Sequence, residues 1–348
     1  MRKKIALIVV GVLAVLLVWQ WEYVSYGYRQ ARGQLRIMLN TQPVAEVLAN
    51  PAYPDSLKQK IELIREIKRF AIDSLRLDPS GSYESFYDLK GQPLMWMLIG
   101  SEKYRLVPVE YHIPILGTFS YKGFFDRDRL TEADTALRKQ GYDTRISEVA
   151  AYSTLGFFKE PILSNMLSRT EGSLAELIIH ELTHGTLFVK DNLEYNENLA
   201  DFVGEYGAQR FLARKYGVNS TIYKDYLASK VYYERYDDHV LRGTQALDSL
   251  YGTFKPQTAE TVKDSLKWKM IRQIVSSADT LTDERSLSGV RSVKKRQLSK
   301  LNLPNNAYFI GYLTYRKQQN RFRQEFESQF NSDFGRYLTY LKQTYPSL

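Results

Sequence analysis

At 348 residues the chain has room for one large domain or two, and 44 % hydrophobic against 25 % charged residues is an ordinary globular balance that supports a sizeable core. There is no cysteine, which excludes disulfides and a cysteine-linked lipid anchor without choosing a compartment. The net charge of +9 is densest in Arg291 to Lys300; that run reads as a solvated helix or loop, no nucleic-acid module accompanies it, and no nucleic-acid partner is expected.

The first segment stands apart. Arg2-Lys3-Lys4 precedes an almost unbroken apolar run from Ile5 to Trp19, which reads as a signal anchor or signal peptide over residues 1–24. No Ala-x-Ala site follows, and Trp19, Trp21 and Tyr23 resemble an interfacial aromatic belt, which favours an uncleaved anchor. The expected place is the cell envelope, anchored in the inner membrane with the rest of the chain outside the cytoplasm, or the periplasm if the segment is cleaved.

Beyond it, the pattern predicts a helical arm from Gly27 to Leu39 and a helix from Ser56 to Leu75, with apolar positions at Leu57, Ile61, Leu63, Ile64 and Ile67. Strands are expected over Pro93 to Gly100, Tyr104 to Tyr111, Gly117 to Phe125 and Asp143 to Val149, with a helix from Glu132 to Gln140 between the last two. From Gly172 onward the reading is nearly all helical: Leu174 to Phe188, Leu193 to Tyr216, Ser220 to Leu250, Thr258 to Ala278, and two or three more from Asn306. Thr282 to Gly289 is the most loop-like interior stretch.

Within the first helix of that half lies His180-Glu181-Leu182-Thr183-His184. Residues four apart share a helix face at roughly 5 to 6 Å, so both imidazoles can reach one zinc ion, and the carboxylate beside the first can act as base on water at that ion. Zinc sites that do chemistry commonly take a third ligand, and in the two-histidine, one-glutamate type it comes from a second helix. Asn196-Glu197-Asn198-Leu199-Ala200-Asp201 has the form seen in glutamate-ligated zinc peptidases and offers Glu197 about two turns into a helix opened by an Asp191-x-x-Glu194 capping box. Asp201, four residues on, is placed to accept the second N–H of His180.

The run from Ala151 to Leu212, together with GQLRIML near the start, YHIPILGTFSYKGFFD around 111–126 and LPNNAYFIGYLTYRK near 303–317, resembles the bacterial family of predicted zinc aminopeptidases, many of them membrane-anchored or lipoproteins. The resemblance covers most of residues 28 to 345. The family's histidine pair, adjacent glutamate and later glutamate fall on His180, His184, Glu181 and Glu197. Where relatives carry acidic residues near positions 204 and 206, this chain has Gly204 and Tyr206 with Glu205 between them.

A small sheet, then metal helices, then a helical remainder is the zincin order. The expected fold is therefore α+β and mainly helical: one zincin-like catalytic domain over 25–348, with sheet to about 171, metal helices over 172–217 and helices to the end. In such peptidases an edge strand before the first metal helix pairs with the substrate backbone, and Tyr152-Ser153-Thr154-Leu155-Gly156 occupies that place.

The expected activity is zinc-dependent peptide hydrolysis with Glu181 as general base, most specifically aminopeptidase activity on peptide or protein substrates. Alternatives are an endopeptidase on the same site and a non-catalytic, zinc-stabilised scaffold; Glu181, which a structural site does not need, argues against the scaffold. A donor for the developing oxyanion is also expected, with Tyr152, Tyr308, Tyr312, Tyr315 and His239 as candidates among 26 tyrosines and four histidines.

Overall fold

A computed structural model describes residues 20–113, 117–149, 159–190, 192–278, 303–316 and 319–345. In chain order the elements are α1 (Trp21–Leu39), β1 (Gln42–Pro43), α2 (Val44–Ala49), α3 (Asp55–Asp73), β2 (Ser85–Tyr87), β3 (Trp96–Ser101), β4 (Tyr111–Ile113), β5 (Gly117–Phe119), β6 (Lys122–Phe124), α4 (Arg127–Lys139), β7 (Asp143–Glu148) and β8 (Ile162–Leu163). Helices follow: α5 (Glu171–His184), α6 (Leu193–Tyr216), α7 (Thr221–Gly252), α8 (Glu260–Ala278), α9 (Asn306–Arg316), α10 (Gln319–Phe330) and α11 (Phe334–Thr344). The molecule is mainly helical with small sheets, as an α+β reading requires.

Among the described residues the strands form two three-stranded sheets and a hairpin rather than one sheet. In one sheet β3 lies between β6 and β7, antiparallel to both, with Trp96 opposite Phe124 on one side and Glu148 on the other. In the other, β2 pairs antiparallel with β1 and parallel with β8, placing Phe86 beside Ile162. These strands are two or three residues long, too short for an alternation to stand out in the sequence. The segment expected as a strand from Tyr104 to Tyr111 instead joins β3 through a single bridge at Pro108, and becomes a strand only at Tyr111. The stretch from Gly117 to Phe125 divides into β5, which pairs with β4, and β6, which pairs with β3.

The largest core gathers α3, α5, α6, α10 and α11 around β2 and β8. Ile61, Ile64, Ile67 and Ala71 recur every three or four residues on α3, which buries one apolar stripe. The α6 helix has buried residues on all sides, including Leu199, Ala200, Val203, Ala208 and Leu212. A second core lies between α7, α8 and α9 around Leu247, Ile271 and Phe309. Its helices are tied to β7 by Lys267, whose fully buried ammonium donates to Asp143 Oδ2 at 2.5 Å and to the Lys103 carbonyl at 2.8 Å. Among the described residues no helix is long and apolar enough to cross a membrane. The apolar run from Ile5 to Trp19 lies outside them, as do Arg291 to Lys300 and Thr282 to Gly289.

Candidate metal centre

The two helices that carry the site are each set by a side-chain cap. Thr170 Oγ1 accepts the Ser173 N–H at 3.3 Å to open α5, and Asn192 Oδ1 accepts the Tyr195 N–H at 3.2 Å to open α6. The start of α6 therefore rests on Asn192; Asp191 of the expected capping box lies outside the described residues. Asn196 then fastens the connection between the helices, since its Oδ1 accepts from Val189 N and its Nδ2 donates to Val189 O, both at 2.8 Å. That pair of bonds reproduces a strand-like pairing with a side chain and fixes where the next residue, Glu197, enters the site.

Glycine sets how closely the helices cross. A Cβ added at Gly204 would stand 2.9 Å from the Glu176 carbonyl and 3.3 Å from His180 Cβ, and one at Gly207 would meet the Ile179 side chain at 2.8 Å. No side chain larger than hydrogen fits at Gly204 without moving α5, the helix that presents both histidines.

The result is a convergence of three side chains. His180 Nε2 and His184 Nε2 are 3.2 Å apart, Glu197 Oε2 is 3.6 Å from the first, and Glu197 Oε1 is 3.7 Å from the second. One donor atom from each lies within 4.8 Å of the other two. Ligands at about 2.0 to 2.1 Å on a tetrahedral ion are separated by about 3.3 Å, so this spacing fits zinc. The donor set fits as well: two imidazole nitrogens and a carboxylate, largely buried, suit that ion.

Behind the first histidine, Asp201 Oδ1 accepts from His180 Nδ1 at 3.0 Å. That bond fixes the ring so that Nε2 faces Glu197 and His184. His184 is oriented differently. Its Nδ1 is buried with no hydrogen-bond partner among the described residues, and its ring packs at 5.9 Å against Phe188.

Burial dominates the electrostatics. It would lower the His180 imidazole, but hydrogen bonding to Asp201 and Glu197, with the Asp201 and Glu181 charges adding, outweighs it and holds His180 well above its ordinary value. Burial and the neighbouring His180 charge push His184 down to about 4. Burial likewise raises the Glu181 carboxyl to about 7; the His180 charge opposes that rise, while the Glu197 and Glu160 charges reinforce it. A carboxyl poised near neutrality beside two imidazoles can take up and release a proton.

Beyond the histidines the same helix faces carry a charged network. Glu176 lies one turn before His180 on α5, and Glu205 one turn after Asp201 on α6. Lys230 of α7 reaches Glu176 at 2.8 Å and Glu205 at 3.3 Å, Tyr226 donates to Glu176 at 2.8 Å, and Arg323 of α10 reaches Glu205 at 2.7 Å. Four helices are thus cross-linked one turn from the candidate centre.

The expected side chains are brought together in part. His180, Glu181, His184, Glu197 and Asp201 share one site. Tyr152, Ser153, Thr154, Leu155 and Gly156 lie outside the described residues, as does the side chain of Tyr315. Tyr308 and Tyr312 pack in the second core, where Tyr308 bonds to Tyr236 at 2.9 Å and to Tyr312 at 3.3 Å, and His239 Nε2 is 2.7 Å from the Ile274 carbonyl.

The tyrosines whose hydroxyls feel the site's carboxylates are others. Burial holds the Tyr83 phenol well above its ordinary value, with Glu181 and Glu160 adding, and burial with Glu197 does the same for Tyr121. Tyr83 also has φ of +66°, a left-handed backbone uncommon for a bulky residue. No local pattern in the sequence distinguishes either from the remaining tyrosines. Glu160 was also missed: it leads into β8 and its carbonyl accepts from Tyr83 N at 2.6 Å.

The chain matches a family model along almost its whole length, and the match spans every residue of the site. It belongs to the family described as putative aminopeptidase, over residues 25–345. Membership supports a peptidase acting on peptide substrates. No curated protein and no solved structure matches the chain. The match begins at residue 25, after the apolar segment, and its last residue is the final described residue of the chain.

Proposed function

We propose that this member of the family is a zinc-dependent aminopeptidase of zincin-like architecture, with His180, His184 and Glu197 as ligands and Glu181 as general base. The observation that carries the reading is that two imidazole nitrogens 3.2 Å apart on one helix meet a carboxylate of the next, whose two oxygens stand 3.6 and 3.7 Å from them, close to the edge of a tetrahedral zinc site. Zinc held there supplies a Lewis acid that polarises a peptide carbonyl and acidifies water. Glu181 receives the proton of the attacking water and delivers it to the departing amine, a double task that suits a carboxyl raised to about 7. Asp201 fixes the tautomer and tilt of His180, and Asn196 fixes the approach of Glu197. A structural zinc site has no use for a desolvated carboxyl such as Glu181, which disfavours a scaffold. The apolar run from Ile5 to Trp19 completes the proposal as an anchor that keeps the catalytic part in the cell envelope.

The test is elemental analysis of the purified protein and of Glu197→Ala, followed by digestion of a peptide library with free and acetylated N-termini. Stoichiometric zinc, lost in the variant, and cleavage confined to free termini are expected. Cleavage of acetylated peptides at internal bonds would make the enzyme an endopeptidase, and absence of zinc from the active protein would remove the metal mechanism.

A further inference from the structure

A cavity of about 540 Å³ opens where the end of α3, the later turns of α6 and the start of α11 meet. Arg76, Arg210 and Arg214 all line it. At 1.5 Å per residue Arg210 stands about 20 Å along α6 from Glu197, so this recess is separate from the candidate metal centre.

Its charge is not balanced from within. Among the described residues no carboxylate forms an ion pair with Arg76, Arg210 or Arg214. Arg214 donates to Ser74 Oγ at 3.0 Å, and the Arg210 guanidinium sits 5.0 Å from the centre of the Tyr206 ring. Arg76 lies over Gly335 in the first turn of α11, where a Cβ would come within 3.1 Å of its Nη1; a cation thus rests against the positive end of a helix. The one carboxylate lining the cavity, Asp333, caps that helix by accepting the Arg336 N–H at 3.1 Å. Among the described residues, three guanidiniums and a helix N-terminus therefore face the recess against a single carboxylate.

Shape adds a second requirement. Tyr206 and Phe334 line the cavity as well, stacked on each other with ring centres 5.1 Å apart and planes 20° from parallel, which adds apolar contact surface to the recess. A volume of this size exceeds what a bare oxyanion fills and lies in the range of small-molecule sites. Guanidinium forks match the oxygens of a phosphate two at a time, and three of them lining one recess, Arg76 from the segment after α3 and Arg210 and Arg214 from α6, suit a dianion.

We propose that this cavity binds a phosphate monoester, with the phosphate held by Arg76, Arg210 and Arg214 and its organic part in contact with Tyr206 and Phe334. The ligand is recognised at one end by charge and at the other by apolar contact. The inference does not depend on the hydrolytic reading, and its test reads binding alone.

Calorimetric titration of the full chain at fixed ionic strength uses inorganic phosphate, phenyl phosphate and the soluble lipid dihexanoyl phosphatidylglycerol. Saturable binding is expected for both phosphates, tighter for phenyl phosphate. The double variant Arg76→Gln, Arg214→Gln should bind about tenfold more weakly or worse, while Arg65→Gln, an exposed arginine elsewhere, should not change. If the double variant fails to fold, Arg210→Gln is read in its place, and protection against thermal unfolding by phenyl phosphate supplies a second readout. No saturation at millimolar phenyl phosphate, or equal binding by wild type and variant, overturns the proposal. Tighter binding of the phosphodiester lipid than of phenyl phosphate overturns the monoester assignment.

Discussion

Gly204 on α6 lies directly against His180 on α5, so closely that a methyl group there would stand 3.3 Å from His180 Cβ and 2.9 Å from the Glu176 carbonyl. The helix that presents Glu197 and Asp201 can approach the helix that presents both histidines only because position 204 has no side chain. Gly204→Ala is expected to destabilise the protein by about 1–3 kcal/mol through overpacking, and to weaken metal binding by prising the ligand helices apart. Denaturant unfolding with a parallel zinc titration checks both; full stability with native zinc affinity would show that the crossing is not limited at this glycine.

Asp201 and His180, 3.0 Å apart, form the second close pair. Asp201→Asn removes the charge that holds the Nδ1 proton and is expected to cost about 10–100-fold in zinc affinity or in activity. Competition against a chelator measures it, and an unchanged zinc dissociation constant together with unchanged turnover would reduce Asp201 to a surface acid.

Glu181→Gln keeps the shape and buried volume of the side chain but removes the proton acceptor. Zinc content should remain at the wild-type level while kcat falls by about 10²–10⁴-fold. Wild-type turnover in this variant would remove Glu181 from the chemistry.

The pH profile follows from the same carboxyl. A general base works only when ionised, so activity falls as pH drops through its pKa. That value is raised to about 7 without a cation, and a positive ion at the adjacent ligands pulls it down. The acid limb of kcat/KM is therefore expected at or below about 7. Glu160→Gln removes a charge that raises Glu181, so the limb should move to lower pH; movement to higher pH would contradict the assignment.

Lys230 joins Glu176 to Glu205 with only 12 % of its side chain exposed and with Glu205 at 8 %. Lys230→Ala leaves two carboxylates close together behind the site, with Arg323 and Tyr226 as remaining partners. A loss of about 3 kcal/mol is expected by urea denaturation, at the low end for breaking a buried pair because Arg323 stays. A loss below about 0.5 kcal/mol would place this lysine with ordinary surface ion pairs.

His180, Glu181, His184 and Glu197 were legible in the chain because a helix converts spacing into a shared face by local geometry alone, and Asp201 followed from the same rule applied to Glu197. The long helices were legible for a related reason: α3, α5 and α6 repeat their apolar residues or carry their caps over many turns. The six-residue strands β3 and β7 were legible too, but strands of two or three residues leave no period to read, so the second sheet could emerge only once distant segments such as Phe86 and Ile162 lay side by side. Gly204, the Glu176–Lys230–Glu205–Arg323 network, the tyrosines in the field of Glu181 and Glu197, and the three arginines around one cavity belong to the tertiary structure. Each is a relation between residues far apart in the chain, and its energy depends on burial and on distances across helices that no local spacing encodes.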